Sequence, residues 1–72
     1  MASLRKDFGA HLRSIRSERK LTQEQFAERM EISVDFLSLI ERGINAPSFE
    51  TIEQMAKRLR VPVKALFEFP TR

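Results

Sequence analysis

Cysteine is absent from this 72-residue chain, histidine occurs once, glycine twice and proline three times. Without cysteine no disulfide and no thiolate metal site can form, and His11 has no second histidine with which to build a metal pair. His11 is therefore read as a surface residue, and no metal, cofactor or small-molecule ligand is expected. No run of eighteen apolar residues and no charged-then-apolar leader is present, so neither a membrane span nor a secretory signal is read, and a cytoplasmic protein is the expectation. A Gly-rich phosphate loop, an internal repeat and a low-complexity stretch are also missing. So is any His/Asp/Ser constellation or carboxylate pair that could be assigned catalytic work, which sets the enzyme reading aside.

What the chain does have is a hydrophobic content of 42%, enough to fill one small core, and a length that suits one compact domain over residues 1–72. Its apolar residues recur at helical spacing. Residues 22–43, TQEQFAERMEISVDFLSLIERG, read as two short helices joined by a tight turn. Thr22 can cap the first helix while Gln25 bonds back to the Thr22 amide, a capping box. Phe26, Ala27 and Met30 then share one face. Ser33 is a second N-cap, followed by Phe36, Leu37 and Ile40. Gly43 suits a left-handed C-terminal cap, and Pro47 forbids continuation. Leu37 and Ile40 are expected in the core, Ala27 is expected to be small because the two helices approach closely there, and Phe36 is given a mixed role.

Helices this short are not stable alone in water, so flanking segments must cover their apolar faces. Upstream, Leu4, Phe8, Leu12 and Ile15 draw one amphipathic helix over about residues 3–19. Downstream, Ser48 caps a helix carrying Ile52, Met55, Ala56 and Leu59. Val61 and Pro62 break that helix before a short turn with Val63, Leu66 and Phe67. The expected fold is all-α with five helices, and Pro70 to Arg72 are expected to fray.

The order of residues resembles the Cro and phage-repressor type of helix-turn-helix domain, the xenobiotic-response-element family of bacterial and phage regulators. Ile15-Arg16, Leu21-Thr22-Gln23, Phe26-Ala27, the SLIERG stretch from Ser38 to Gly43, Ala46-Pro47-Ser48, Leu59 and Val61 to Phe67 carry the resemblance, over about residues 8–67. It implies a five-helix lambda-repressor-like domain that binds double-stranded DNA through the second short helix, whose N-terminal end enters the major groove. Base contacts are then expected from Val34, Asp35, Ser38 and Leu39. Val34 and Leu39 can offer only apolar contact, for example to thymine methyl groups, and Asp35 can only accept, best from a cytosine amino group. Partial burial of Leu39 at an interface and a helix-dipole role for Asp35 are the plainer readings beside these. Phosphate contacts are expected from Thr22, Gln23, Arg42, Asn45 and the Ser48 helix start, with Asn45 also readable as a turn former. The resemblance further implies a buried ion pair between Arg16 and Glu41, which removes the conflict of an acid late on a DNA-reading helix.

Two features sit uneasily with that reading. Of the net charge of +3, residues 1–20 contribute six basic and two acidic groups, residues 21–45 two basic and five acidic, and residues 46–72 five basic and three acidic. The motif itself is acidic, so attraction to phosphate must come from Arg13, Arg19, Lys20 or Lys57 alongside Arg42. Pairing of two copies would double the contacts, with half-sites about 34 Å apart. Leu66, Phe67 and Phe69 are the expected dimer surface, unless Leu66 and Phe67 simply finish the core. Second, the turn between the short helices commonly holds glycine where φ must be positive, and here that place is Glu31. Either the turn differs or a strain on the order of 1 kcal/mol is tolerated. The expected function is a homodimeric, sequence-specific transcriptional regulator, a repressor because occupancy alone can block polymerase. The alternatives are a protein-interaction module of the same fold, as in an antitoxin or anti-repressor partner, and a membrane-surface helix over residues 4–20, weakened because the core already needs its apolar stripe.

Overall fold

Four α-helices and one 3-10 turn follow one another in the computed structural model, which describes residues 3–70. They are α1 (Leu4–Glu18), α2 (Gln23–Met30), α3 (Val34–Glu41), α4 (Phe49–Leu59) and the 3-10 segment Val63–Phe67. The expected fifth helix is thus a single 3-10 turn. Pro62 stands at its N-cap position, and the turn has no side-chain cap. The expected fraying concerns Thr71 and Arg72, which lie outside the described residues, and Pro70, which is described.

Each α-helix starts on a hydroxyl cap. Ser3, Thr22, Ser33 and Ser48 accept from the backbone amides of Lys6, Gln25, Phe36 and Thr51. At α2 the box is complete, because Gln25 Oε1 also accepts from the Thr22 amide at 2.9 Å. The ends are closed by left-handed residues: Lys20 just after α1 (φ 58°), Glu31 after α2 (φ 59°), Gly43 just after α3 (φ 74°) and Arg60 after α4 (φ 59°). At Glu31 the turn does adopt the strained geometry. In return, the Ile32 amide reaches the Ala27 carbonyl at 3.0 Å, which also accepts from the Glu31 amide, so the chain leaves the helix with its amide paired.

The core gathers one face of every element: Phe8 and Leu12 from α1, Phe26, Ala27 and Met30 from α2, Leu37 and Ile40 from α3, Ile52, Met55, Ala56 and Leu59 from α4, and Leu66 from the 3-10 turn. Helix α3 packs between α1 and α2, while α4 lies against α2 and the 3-10 turn. The closest approach is at Gly9 on α1, where a β-carbon would stand 2.1 Å from the Ile40 carbonyl oxygen. Only a hydrogen fits there, so Gly9 lets α3 lie directly on the α1 backbone.

Two expectations are corrected. His11 is half-buried rather than a plain surface residue. Its Nε2 donates to the Ala65 carbonyl at 2.9 Å and its ring meets Phe69 edge-on at 5.6 Å, which ties α1 to the C-terminal turn. Leu66 is 1% exposed and fully committed to the core, so it cannot belong to a dimer surface. The 3-10 turn points it inward beneath α1 and α4. Phe67 and Phe69 are half-buried against the core, with the Phe67 ring centred 5.1 Å from that of Phe8 and tilted by 42° to it.

Candidate nucleic-acid interface

Helix α3 is held by its inner face and its C-terminal end. Leu37 and Ile40 are fully enclosed, and Glu41, one residue further, has a side chain only 2% exposed. A buried carboxylate is tolerable only with partners, and this one accepts three hydrogen bonds. Arg16 Nε lies 2.8 Å from Oε2, Arg16 Nη2 3.1 Å from Oε1, and Gln23 Nε2 3.0 Å from Oε1. The two guanidinium bonds form the parallel fork that matches a carboxylate. Arg16 Nη1 also donates to the Leu21 carbonyl at 2.9 Å, so one network joins α1, the turn after it, the start of α2 and the end of α3. No buried side-chain nitrogen or oxygen among the described residues lacks a partner. The angle between the two helices of the motif is therefore set by apolar packing on one side and by charged hydrogen bonds on the other.

The outer face of α3 is left open at its N-terminal end. Val34 is 38% exposed and Asp35 is exposed in the first turn, while Ser38 and Leu39 are half-buried. Asp35 complements the positive end of the helix dipole whether or not it meets a base. Phe36 is half-buried and packs against the core, the inward part of its expected mixed role. After α3, Leu39 offers its carbonyl to both the Ile44 and Asn45 amides, at 2.9 and 3.2 Å. Arg42, Asn45 and Ser48 stand exposed along the segment that leads to α4, and Thr22 is exposed at the start of α2. Gln23 is half-buried, and its amide nitrogen is already engaged by Glu41. What it offers outward is its carbonyl oxygen and the backbone amide at the α2 N-terminus.

The basic residues divide in the same way. Arg13, Lys20, Arg42 and Lys57 are exposed and form no ion pair among the described residues. Arg19 donates to the Leu59 carbonyl at 3.3 Å, and Arg58 pairs with Glu31 at 2.7 Å, so these two cations are partly used within the fold. Among the described residues no cluster of histidine, cysteine or carboxylate is arranged to hold a metal, and no helix is long and apolar enough to cross a membrane.

Three features of this region escape a reading of the sequence. The Gln23 bond to Glu41 spans eighteen positions and joins two helices. The contact at Gly9 had a usable signal, since a glycine beside Phe8 on the buried stripe of a long helix needs a packing reason. The side chain of Phe49 is 83% exposed although it opens a helix whose next apolar residue, Ile52, is buried.

Comparison with known proteins agrees with this architecture. The family model described as a helix-turn-helix domain matches residues 7–68. The immunity repressor protein of Bacillus phage phi105 is 43% identical over 58 residues, covering 81% of this chain and 40% of the repressor. The control protein C.BamHI of Bacillus amyloliquefaciens is 37% identical over 65 residues, covering 89% of this chain and 80% of that protein. In structure, the restriction-modification controller protein C.AhdI of Aeromonas hydrophila superimposes with a TM-score of 0.79 at 31% identity, over 89% of this chain and 96% of its own. The chain spans only 42% of the length of the first curated relatives it matches. With α2 and α3 set at a fixed angle by the Arg16–Glu41–Gln23 network and the matched model covering nearly all of the described residues, this chain belongs to the helix-turn-helix domain family, in its Cro and phage-repressor type.

Proposed function

We propose that this chain is a sequence-specific DNA-binding module of a transcriptional regulator, acting as a repressor by occupancy and as a homodimer on a two-fold operator. The observation that carries the reading is the division of α3, whose inner face and C-terminal end are locked into the fold while Val34 and Asp35 stand open at its start. A helix held in this way can present its first turn to the major groove without spending orientational entropy on contact. In this reading Val34 and Leu39 pack against thymine methyl groups, Asp35 accepts from a cytosine amino group and Ser38 hydrogen-bonds a base edge. Thr22, Gln23, Arg42, Asn45 and Ser48 hold phosphates and set the register, Gln23 through its backbone amide and carbonyl oxygen.

The test is selection of bound sequences from a random duplex pool, followed by the salt dependence of binding to the winner. An inverted repeat and a steep fall of affinity with salt are expected. Failure to enrich any sequence at low salt, from folded protein, moves the weight to a protein-binding role. The specific observation behind that second reading is that residues 21–45 carry two basic against five acidic groups while Val34 is exposed among them.

A further inference from the structure

Helix α1 lies on the C-terminal end of α3 along one flank, and that flank is basic. Gly9 meets the Ile40 carbonyl, Arg16 forks onto Glu41, and one turn before Gly9 the stem of Lys6 crosses Gly43. A β-carbon on Gly43 would stand 2.6 Å from Lys6 Cγ and 2.9 Å from Lys6 Cα, so the two residues are in direct contact. Arg13, four residues after Gly9, continues the same side of the helix. The two acids of α1 lie elsewhere: Asp7 and Glu18 border the shallow cavities that His11 shares with the C-terminal segment. Toward α3, then, α1 turns Lys6, Arg13 and Arg16 and no carboxylate.

We infer that Lys6 holds a phosphate of the duplex beside the one met by Arg42, so that the start of α1 and the segment after α3 grip one strand together. The inference rests on the DNA reading of the proposed function and adds a contact from outside the motif. Arg42 is the only charged residue from position 42 to position 49, and Glu41 before it is enclosed by Arg16 and Gln23. Lys6 and Arg42 are both exposed, and neither forms an ion pair among the described residues. Two like charges on touching stretches of backbone, with no acid free between them, raise the local positive potential, and an anion from outside the chain relieves it. Helix α1 itself gains nothing from the arrangement, because a cation in the first turn opposes the dipole of its own helix. The position is also fixed. The Lys6 amide donates to the Ser3 hydroxyl cap at 3.1 Å, and the Ile44 and Asn45 amides share the Leu39 carbonyl, so the backbone on both sides of the contact is tied down. Binding a phosphate there restrains one flexible stem and orders no loop.

The experiment compares full-chain variants on the duplex that the wild type selects, titrated at several salt concentrations. Lys6→Gln keeps a stem over Gly43 and removes the charge. It is expected to weaken binding to selected and random duplexes alike and to lower the salt slope by about 0.9 for each bound protomer. Lys6→Arg is expected to restore the slope. Lys64→Gln removes the same charge from the 3-10 turn, on the flank of α1 that His11 ties to Ala65, and is expected to leave the slope unchanged. Neutral methylphosphonates placed one at a time along the duplex then locate the contact. One position in each half-site is expected to weaken the wild type several-fold and Lys6→Gln not at all, next to the position that Arg42→Gln no longer senses. An unchanged slope for Lys6→Gln, an equal fall for Lys64→Gln, or a Lys6 position several nucleotides from that of Arg42 overturns the inference. So does a lower melting temperature of Lys6→Gln with the slope intact, which would make the lysine a complement to the negative end of α3 and nothing more. A wild type that selects no duplex sinks the DNA reading itself, whereas one that selects a duplex and is matched in slope by Lys6→Gln sinks this contact alone.

Discussion

At the scale of single residues, two positions decide how the motif is held. Gly9 sits inside a helix, where alanine normally stabilises by about 0.5–1 kcal/mol. Here the added carbon would stand 2.1 Å from the Ile40 carbonyl oxygen and 3.1 Å from that of Glu41, both backbone atoms that cannot swing aside. Gly9→Ala is therefore expected to destabilise by about 1–3 kcal/mol, and chemical denaturation reads the sign directly. Glu41 is the other. Its removal leaves the Arg16 guanidinium without its fork and the Gln23 amide without its acceptor. Glu41→Ala should cost about 3–5 kcal/mol, whereas the apolar double replacement Arg16→Met/Glu41→Leu should recover most of the loss. An unchanged melting temperature together with an altered sequence preference would contradict this, because it would place Glu41 in the groove. Neither position can be weighed from composition alone. The glycine signal lay beside Phe8, but the atoms it must clear belong to a helix thirty residues away.

At the scale of elements, the chain is punctuated by short, repeated devices. Four serine or threonine caps start the four α-helices, and a left-handed residue follows each of them. The starts at Thr22, Ser33 and Ser48 were legible because capping depends on residues within one turn of each other, while the Ser3 cap appeared only in the structure. At the end of α2 Glu31 holds φ 59° with a full side chain, as Lys20 and Arg60 do after α1 and α4. Its ion pair with Arg58 at 2.7 Å is largely exposed and offsets little of that strain. Glu31→Gly and Glu31→Ala both lose the pair, but only glycine relieves the backbone. The glycine variant should be the more stable of the two by about 1 kcal/mol, measured in the same urea titration. Equal stabilities would mean that the turn carries no strain. The last element was misjudged for a local reason: the spacing of Val63, Leu66 and Phe67 fits a helical turn, and spacing cannot distinguish an α-turn from the 3-10 turn that forms after Pro62.

For the whole molecule, the question is how an acidic motif meets a polyanion. Residues 21–45 hold five acids, but Glu41 is enclosed by Arg16 and Gln23, and Glu31 faces Arg58. The charge presented near the open start of α3 is thus less negative than the count along the chain. Arg42, exposed at the end of α3, is the next cation along the chain. Arg42→Gln is expected to weaken binding to all duplexes alike and to lower the salt slope by about one. Asp35→Ala should instead relax preference at a single base pair by about 1–3 kcal/mol. Titrations of the selected duplex at several salt concentrations separate the two. A uniform loss for both would assign Asp35 to the helix dipole and not to a base.

The sequence by itself determined the helices, their caps and the order in which they meet, because each depends on residues a turn or two apart. It also carried the family pattern, including Arg16 and Glu41, since those side chains stand at characteristic positions on α1 and in the SLIERG stretch. Tertiary structure alone decided the fate of the apolar residues at the edges of that pattern. Leu66 turns inward and is lost as a contact residue, while Phe49, one position past a cap, is left in water. Burial of the first residue of a helix depends on what the rest of the chain places beside it. Here α1 and the 3-10 turn leave a groove at Phe49, and no local pattern encodes that space.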